Sequence, residues 1–279
     1  MKQKDGKLYS LQQAVATIKP GQLVAFGGNV LHRVPMAFVR EVARQKIGNL
    51  QLIKTAGAMD IDLLCLAGLV KSVDAGFISF ENYFGLAQNY RQAAQKGQIK
   101  VYEHACYTVI SALRAAQAGI PFMPVQGILA SELIERNPRF RVLANPFQGE
   151  KVAVVEALVP DVAVIHAQEV DEAGNVFISN PAFEDVLLAK AAKKVIVTTE
   201  RIVSPSKCRL NPDAVSIPGF LVHQVVHVPG GAQPTDCGGF YDINAGEVDR
   251  YIALKTAADL DRYLEQTEQR DRQHRLNRL

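Results

Sequence analysis

Val101-Tyr-Glu-His-Ala-Cys106, running into a helical pattern over 107–119 and closing with Ile120-Pro-Phe-Met-Pro124, is the stretch that decides how this 279-residue chain reads. An apolar run rich in β-forming residues delivers one acid, Glu103, to the point where strand periodicity gives way to helical periodicity. Open α/β sheets hold their ligands at such points, outside the carboxyl ends of the strands.

The same alternation extends in both directions. Upstream, a helix is expected over 10–19, capped by Ser10 and stopped by Pro20-Gly21. A strand over 22–26 then ends in Gly27-Gly28-Asn29. A helix follows, with Val34, Phe38, Val39, Val42 and Ala43 at helical spacing and Pro35 near its first turn. Strands over 49–54, 73–80 and 99–102 alternate with helices over 61–67 and 86–96.

Downstream of Pro124 the periodicity breaks. Residues 127–149, with Asn137-Pro138 and Asn145-Pro146, read as a long connection, either a binding segment or an excursion to a partner. Strands are then expected over 151–159 and 161–168, with Asp171-Glu-Ala-Gly-Asn175 as a tight turn into 176–179. A helix over 181–192, strands over 194–199 and 221–228, and closing helices over 245–267 complete the chain. Strands alternating with helices imply an α/β fold, a mostly parallel sheet with helices on both faces. One domain spanning 1–279 is expected, with a C-terminal helical extension from about 245.

Composition excludes several classes. At 48% hydrophobic and 21% charged the chain is globular. Its formal net charge of +3 comes from cations scattered among nearly as many acids, so no nucleic-acid partner is expected. The basic run Arg270-Asp-Arg-Gln-His-Arg-Leu-Asn-Arg278 reads as a solvated helix end. The charged start Met1-Lys-Gln-Lys-Asp-Gly-Lys has no apolar segment after it, and no stretch reaches the roughly 18 apolar residues of a membrane span, so a cytoplasmic protein is expected. Cys65, Cys106, Cys208 and Cys237 form no Cys-x-x-Cys and read as reduced, partly buried thiols.

The chemistry-bearing residues are few. Gly27-Gly28-Asn29 either cradles a phosphate at a helix start or is an ordinary tight turn, and it matches no nucleotide fingerprint. His223 and His227 on one strand lie about 13 Å apart, too far for one metal ion, and no metal is expected. Ser204, Ser206 and Ser216 lack a nucleophile-elbow setting. Glu81 and Glu103 follow what read as neighbouring strands on the rim of the glycine pair. They form either a functional pair of acids or ion pairs with Arg33, Arg91 or Arg114.

Four segments in the right order make the chain similar to a known family. These are residues 27–45 starting Gly27-Gly-Asn-Val-Leu-His-Arg, Tyr102-Glu through Ala118-Gly-Ile-Pro-Phe-Met-Pro124, Pro160-Asp-Val-Ala-Val-Ile-His-Ala-Gln168 with Asp171 to Val176, and Pro229-Gly-Gly-Ala-Gln-Pro-Thr-Asp-Cys-Gly-Gly-Phe-Tyr241. Together they resemble the A subunit of the family I CoA-transferases, of the glutaconate CoA-transferase type, over about residues 11–264. The resemblance implies the CoA-transferase (NagB/RpiA-like) fold, coenzyme A as a substrate with no further cofactor, and a hetero-oligomer with a B subunit, A2B2 or larger. It also implies CoA transfer between an acyl-CoA and a carboxylic acid through a glutamate of the B subunit. That glutamate stands in a Ser-Glu-Asn-Gly motif after the second strand, where this chain reads Thr55-Ala-Gly-Ala58, so the chain alone is expected to be inactive. Subunits of the steroid-ring-opening acyl-CoA hydrolases are similar too. There the essential glutamate matches Glu103, which would act as a general base. In either case Gly27, Gly28, Arg33, Thr55, Glu81, Asn82 and Phe84 would line the substrate pocket, and glycine-turn N–H groups would stabilise oxyanions. A third alternative is a non-catalytic subunit that shapes its partner's site.

Overall fold

The computed structural model describes residues 6–179 and 181–276. Most of the charged start at 1–7 and the side chains of the basic run at 270–278 fall outside the described residues. In chain order the elements are α1 (Leu11–Val15), β1 (Leu23–Phe26), α2 (Met36–Arg44), β2 (Leu50–Gly57), α3 (Met59–Leu66), β3 (Val70–Ile78), α4 (Glu81–Phe84), α5 (Gln88–Gln95), β4 (Lys100–Glu103) and α6 (Cys106–Ala118). Then come β5 (Phe122–Val125), α7 (Leu133–Arg136), β6 (Phe140–Ala144), β7 (Lys151–Glu156), β8 (Val162–Asp171), β9 (Val176–Phe177), α8 (Asp185–Ala191), β10 (Val195–Val203), α9 (Ser206–Leu210), β11 (Gln224–His227), α10 (Ala245–Ile252) and α11 (Ala257–Leu276).

The main sheet runs β11-β10-β8-β1-β2-β3-β4, all parallel, with β9 pairing antiparallel to the end of β8. Its central strands are apolar on both faces, as a sheet covered on both sides requires. Val24, Phe26, Leu50, Leu52, Val164 and Ile196 enter one core with α1, α2, α3, α5, α10 and α11. Ala25, Ile53, Ala163, Ile165, Val195 and Val197 enter the other, with α6 and α8. The C-terminal helices are no appendage: Val248, Tyr251, Leu260 and Leu264 are buried in the first core.

Two expectations need correction. The stretch 127–149 is not a structureless connection. With β7 it builds a three-stranded antiparallel sheet, β5-β7-β6, so residues 151–156 leave the main sheet for the smaller one. The pattern hid this because β6 buries only Phe140 and exposes the next four residues, and because Pro124 sits inside β5. The opening helix spans five residues, Leu11–Val15, although the Ser10 cap is formed: its hydroxyl accepts from the Gln13 N–H and the Gln13 side chain accepts from the Ser10 N–H.

Strand order reverses between β1 and β8. From β1 the chain builds outward to β2, β3 and β4, and later returns to the other side with β8, β10 and β11. Such a switch point opens a crevice at the strand carboxyl ends. Here it falls at Gly27-Gly28. Glu103 lies on the edge strand, three strand spacings or about 14 Å from β1.

Gly76 of β3 sets how closely α6 approaches the rim, since a Cβ there would come within 2.6 Å of the Cys106 Cα and 2.9 Å of the Ala105 carbonyl carbon. Gly76→Ala is expected to destabilise the chain by about 1–3 kcal/mol, seen as a lowered urea midpoint with an unchanged m-value. A wild-type midpoint would contradict this packing.

Candidate active site

The crevice is built on buried charge. Lys54, near the end of β2, donates from Nζ to the carbonyls of Phe26, Gly27 and Gly28 at 3.1, 2.7 and 3.0 Å, and pairs with Asp60 of α3 at 3.1 Å. Both side chains are buried. Opposite them Asp185, at the start of α8, accepts from the Gly28 N–H at 2.9 Å and pairs with Arg33 at 2.5 Å. The Arg33 guanidinium also donates to the carbonyls of His166 and Pro181. Gly28 has φ +71°, and a Cβ on it would stand 2.5 Å from the carbonyl oxygens of His32 and Arg33, so glycine is required.

These contacts revise two expected roles. The N–H groups of Gly27, Gly28, Asn29 and Val30 are donated to Val164, Asp185, His32 and Ala56. In this arrangement the turn offers a ligand no unspent N–H, neither a phosphate cradle nor an oxyanion hole. Arg33 is buried and paired with Asp185 rather than with Glu81 or Glu103, so it supports the crevice from behind. Thr55 is buried on β2, and its carbonyl accepts from the Cys106 Sγ at 3.4 Å.

Glu103 ends β4 with an exposed side chain, and among the described residues its carboxylate has no ion-pair partner. The backbone beneath it is fixed. Its carbonyl accepts from Asn137 at 2.8 Å, and the next residue, His104, is buried between Thr108 at 3.1 Å and Asp74 at 3.3 Å. Asp74 also pairs with Arg139. Glu81 and Asn82 are exposed on the one-turn α4, whose Phe84 packs against the first core. Glu81 has φ +60°, a left-handed conformation uncommon for glutamate, and its N–H is accepted by Ser79 Oγ. Glu81, Asn82 and Glu103 therefore sit on adjacent strand ends as expected, on the same rim as the glycine turn but well away from it.

Sequence reasoning missed Lys54, Asp60, Asp185 and a second network behind the crevice. His166 of β8 lies 2.8 Å from Thr198 Oγ1 through Nδ1 and 2.8 Å from Glu200 Oε1 through Nε2. Glu200 further accepts from the Tyr241 hydroxyl at 2.5 Å and the Gly230 N–H at 2.8 Å. Burial acts to raise the Glu200 carboxyl, but the His166 hydrogen bond and attraction, with those of Tyr241 and Gly230, outweigh it and hold it below the usual range. Cys237 lies beside this pair, its thiol pushed up to about 12 by burial and by Glu200. His166, Glu200 and Cys237 offer donor atoms within 4.8 Å of one another. Both imidazole nitrogens and both carboxylate oxygens already have hydrogen-bond partners, so the cluster serves to tie the 229–241 segment to the sheet.

With the geometry in place, comparison gives the family. The model of the coenzyme A transferase family matches residues 8–228. The chain belongs to the coenzyme A transferases, as the A subunit of a family I enzyme. It is 31% identical to the A subunit of glutaconate CoA-transferase from Acidaminococcus fermentans, covering 98% of this chain and 92% of that one. The crystal structure of that transferase superposes with a TM-score of 0.88 at 32% identity, covering 93% of this chain and 88% of that one. An AibA/AibB decarboxylase variant gives a TM-score of 0.84 at 33% identity, over 96% and 100% of the two chains. A cholesterol ring-cleaving hydrolase subunit of Rhodococcus jostii is 30% identical over 86% of this chain and 84% of its own. An uncharacterised protein of Archaeoglobus fulgidus is 33% identical over 89% of this coenzyme A transferase chain, which spans only 56% of that protein.

Lys54→Met would leave Asp60 buried without its cation and release three carbonyls. A loss of about 3–5 kcal/mol in urea unfolding is expected, partly restored in the double variant with Asp60→Asn. For Glu200 the sign follows from its lowered folded pKa: its stabilisation is present above the unfolded value near 4.5 and is lost as pH falls through the folded value. Glu200→Gln should therefore cost about 1–3 kcal/mol at neutral pH, with the gap from wild type closing in acid. A gap that widens in acid would overturn the assignment.

Proposed function

We propose that this chain is the A subunit of a heteromeric CoA-transferase that moves CoA between an acyl-CoA and a carboxylic acid, the nucleophilic glutamate residing on a B subunit. The observation that carries this reading is the end of β2: where a nucleophile would stand, this chain has buried Thr55 followed by Ala56 and Gly57, with no carboxylate. The similarity over nearly the whole chain to the A subunit of a glutaconate CoA-transferase supports it. So does the rim itself, where Tyr83 is 91% exposed beside Glu81, apolar surface that a partner would cover.

In this chemistry the partner's carboxylate attacks the thioester carbonyl and expels CoA thiolate, leaving an acyl-glutamyl anhydride. The thiolate attacks the glutamyl carbonyl, giving a glutamyl-CoA thioester and a free carboxylate. An acceptor carboxylate then runs both steps in reverse. One exchange is divided into smaller ones, each with a good leaving group. The present chain contributes the crevice wall at β1 and β8 and the carboxylate of Glu103.

A second reading is favoured by the state of Glu103, an exposed carboxylate with no ion-pair partner among the described residues, on a backbone held by Asn137 beside the locked His104. In an acyl-CoA ring-opening hydrolase it would act as a general base. The resemblance of the chain to a hydrolase subunit supports that reading equally at about 30% identity.

Co-expression with a B-type partner and substitution of Glu103→Gln separate the readings. For transfer, the chain alone is inactive, the complex exchanges CoA, and the variant keeps exchange within about tenfold, with a glutamyl thioester trapped on the partner. Full transferase activity from this chain alone would sink the first reading. Hydrolysis by the complex that falls by about 100-fold or more in Glu103→Gln would establish the second.

A further inference from the structure

Glu184 stands immediately before α8 at the topological switch point, and neither proposed chemistry uses it. Its carboxyl lies within electrostatic reach of Lys54, Asp185, the Asn29 side chain of the glycine turn and the Cys106 thiol. It lines two spaces. One is a cleft of about 10 Å³ at the ends of β1 and β2, shared with Phe26, Gly28, Lys54, Thr55 and Leu113. The other is a groove of about 350 Å³ between α6 and α8, where Arg114, Phe183 and Lys190 are its neighbours.

We infer that Glu184 is a substrate-binding residue of the shared pocket, its carboxyl meeting an oxygen of the acyl group in the cleft at the ends of β1 and β2. This rests on the CoA-ester reading above and adds to it a group on this subunit that recognises the acyl end. A cleft of that size has room for about one water-sized atom, so it admits a terminal oxygen and excludes a chain. The buried cations beside it are already committed, Lys54 to three carbonyls and Asp60, Arg33 to two carbonyls and Asp185. Glu184 is the ionisable group at the cleft with hydrogen-bonding capacity in reserve.

Burial raises the Glu184 carboxyl above the usual range. The neighbouring Asp185 adds to this, and the Glu184 backbone, Lys54 and Asn29 oppose it without cancelling it. A carboxyl that keeps its proton donates a hydrogen bond to an acyl or carboxylate oxygen, whereas an ionised one repels a substrate carboxylate. The charged groups around it are Lys54 with its partner Asp60 from β2 and α3, Asp185 with its partner Arg33, and Arg114 and Lys190 along the groove, with the Cys106 thiol of α6 within electrostatic reach. As pH rises through the Glu184 pKa the donor is lost, and KM for the carboxylate acceptor rises.

Two measurements test this. On the isolated chain, iodoacetamide alkylation is followed at the Cys106 peptide as a function of pH. Burial first, then Glu184, raises the Cys106 thiol, so Glu184→Gln should move the midpoint of alkylation to lower pH. An unmoved midpoint shows that Glu184 places no charge at the crevice and overturns the inference, whatever the enzyme does. In the reconstituted complex, KM for the acceptor acid should rise with pH in the wild type and stay flat in Glu184→Gln, whose amide donates at every pH. Glu184→Ala should raise KM about tenfold at acid pH with a smaller change in kcat. Wild-type KM profiles in both variants overturn the inference. A wild-type complex that transfers no CoA overturns the functional reading instead, and the alkylation result still decides whether Glu184 carries its charge at the crevice.

Discussion

A buried ammonium group organises the rim. Lys54 is out of contact with water, and a charge in that position is tolerated only when its protons are all spoken for. Three consecutive carbonyls of the β1 turn and one carboxylate of α3 meet that requirement. The demand fixes the turn's path. With its carbonyls drawn towards Lys54, the turn directs the Gly28 N–H to Asp185, and Asp185 then needs Arg33 as its own counter-ion. Two buried pairs on opposite sides of Gly27-Gly28 thus hold one turn between them, and a Cβ on Gly28 has nowhere to go.

This arrangement explains a division of labour along the strand ends. At the switch point the polar groups are buried, paired and rigid, so they preform the crevice. On the edge strand, Glu103 is exposed while its backbone is held by Asn137 and its neighbour His104 is locked by Thr108 and Asp74. Buried charge shapes the pocket where the sheet is covered on both faces, and exposed charge is placed where a second chain can reach it.

Much of the fold was legible in the sequence because parallel strands covered on both faces are continuous apolar runs that alternate with helical patterns. The strands at 22–26, 161–168 and 194–199 and the Ser10 cap were read from residues alone. The β5-β7-β6 sheet was not, because a thin sheet with one half-exposed face leaves no period of two: after Phe140, β6 buries nothing. At the site, Glu103 could be found as an acid at a strand end, and the same rule would have found Glu200 at the end of the run over 194–199. Lys54, Asp60 and Asp185 carried no comparable signal. A lysine in a strand and an aspartate in a first helical turn read as surface residues, and their burial depends on partners 6 to 157 positions away in the chain. Arg33 was placed in the pocket by its position after the glycine turn, or as an ion-pair partner of Glu81 or Glu103, and the structure spends its charge on Asp185 instead.

The separation of the two acidic regions bears on how such a site handles its substrate. Glu103 stands on the edge strand β4, about 14 Å from β1 by strand spacing, while the cleft beside Glu184 lies at the ends of β1 and β2, so the two acids occupy different parts of the rim. An extended acyl-CoA can meet both, one region near its acyl oxygen and the other farther along. A partner chain over the rim would then stand between them, where exposed Tyr83 and the carboxylate-free end of β2 leave space for it. Covering that space removes water from both carboxyl groups at once, which raises the cost of ionising each and strengthens any hydrogen bond that either one makes. In the proposed assembly the fold of one chain would fix where the acids stand, and the second chain would fix the dielectric in which they work.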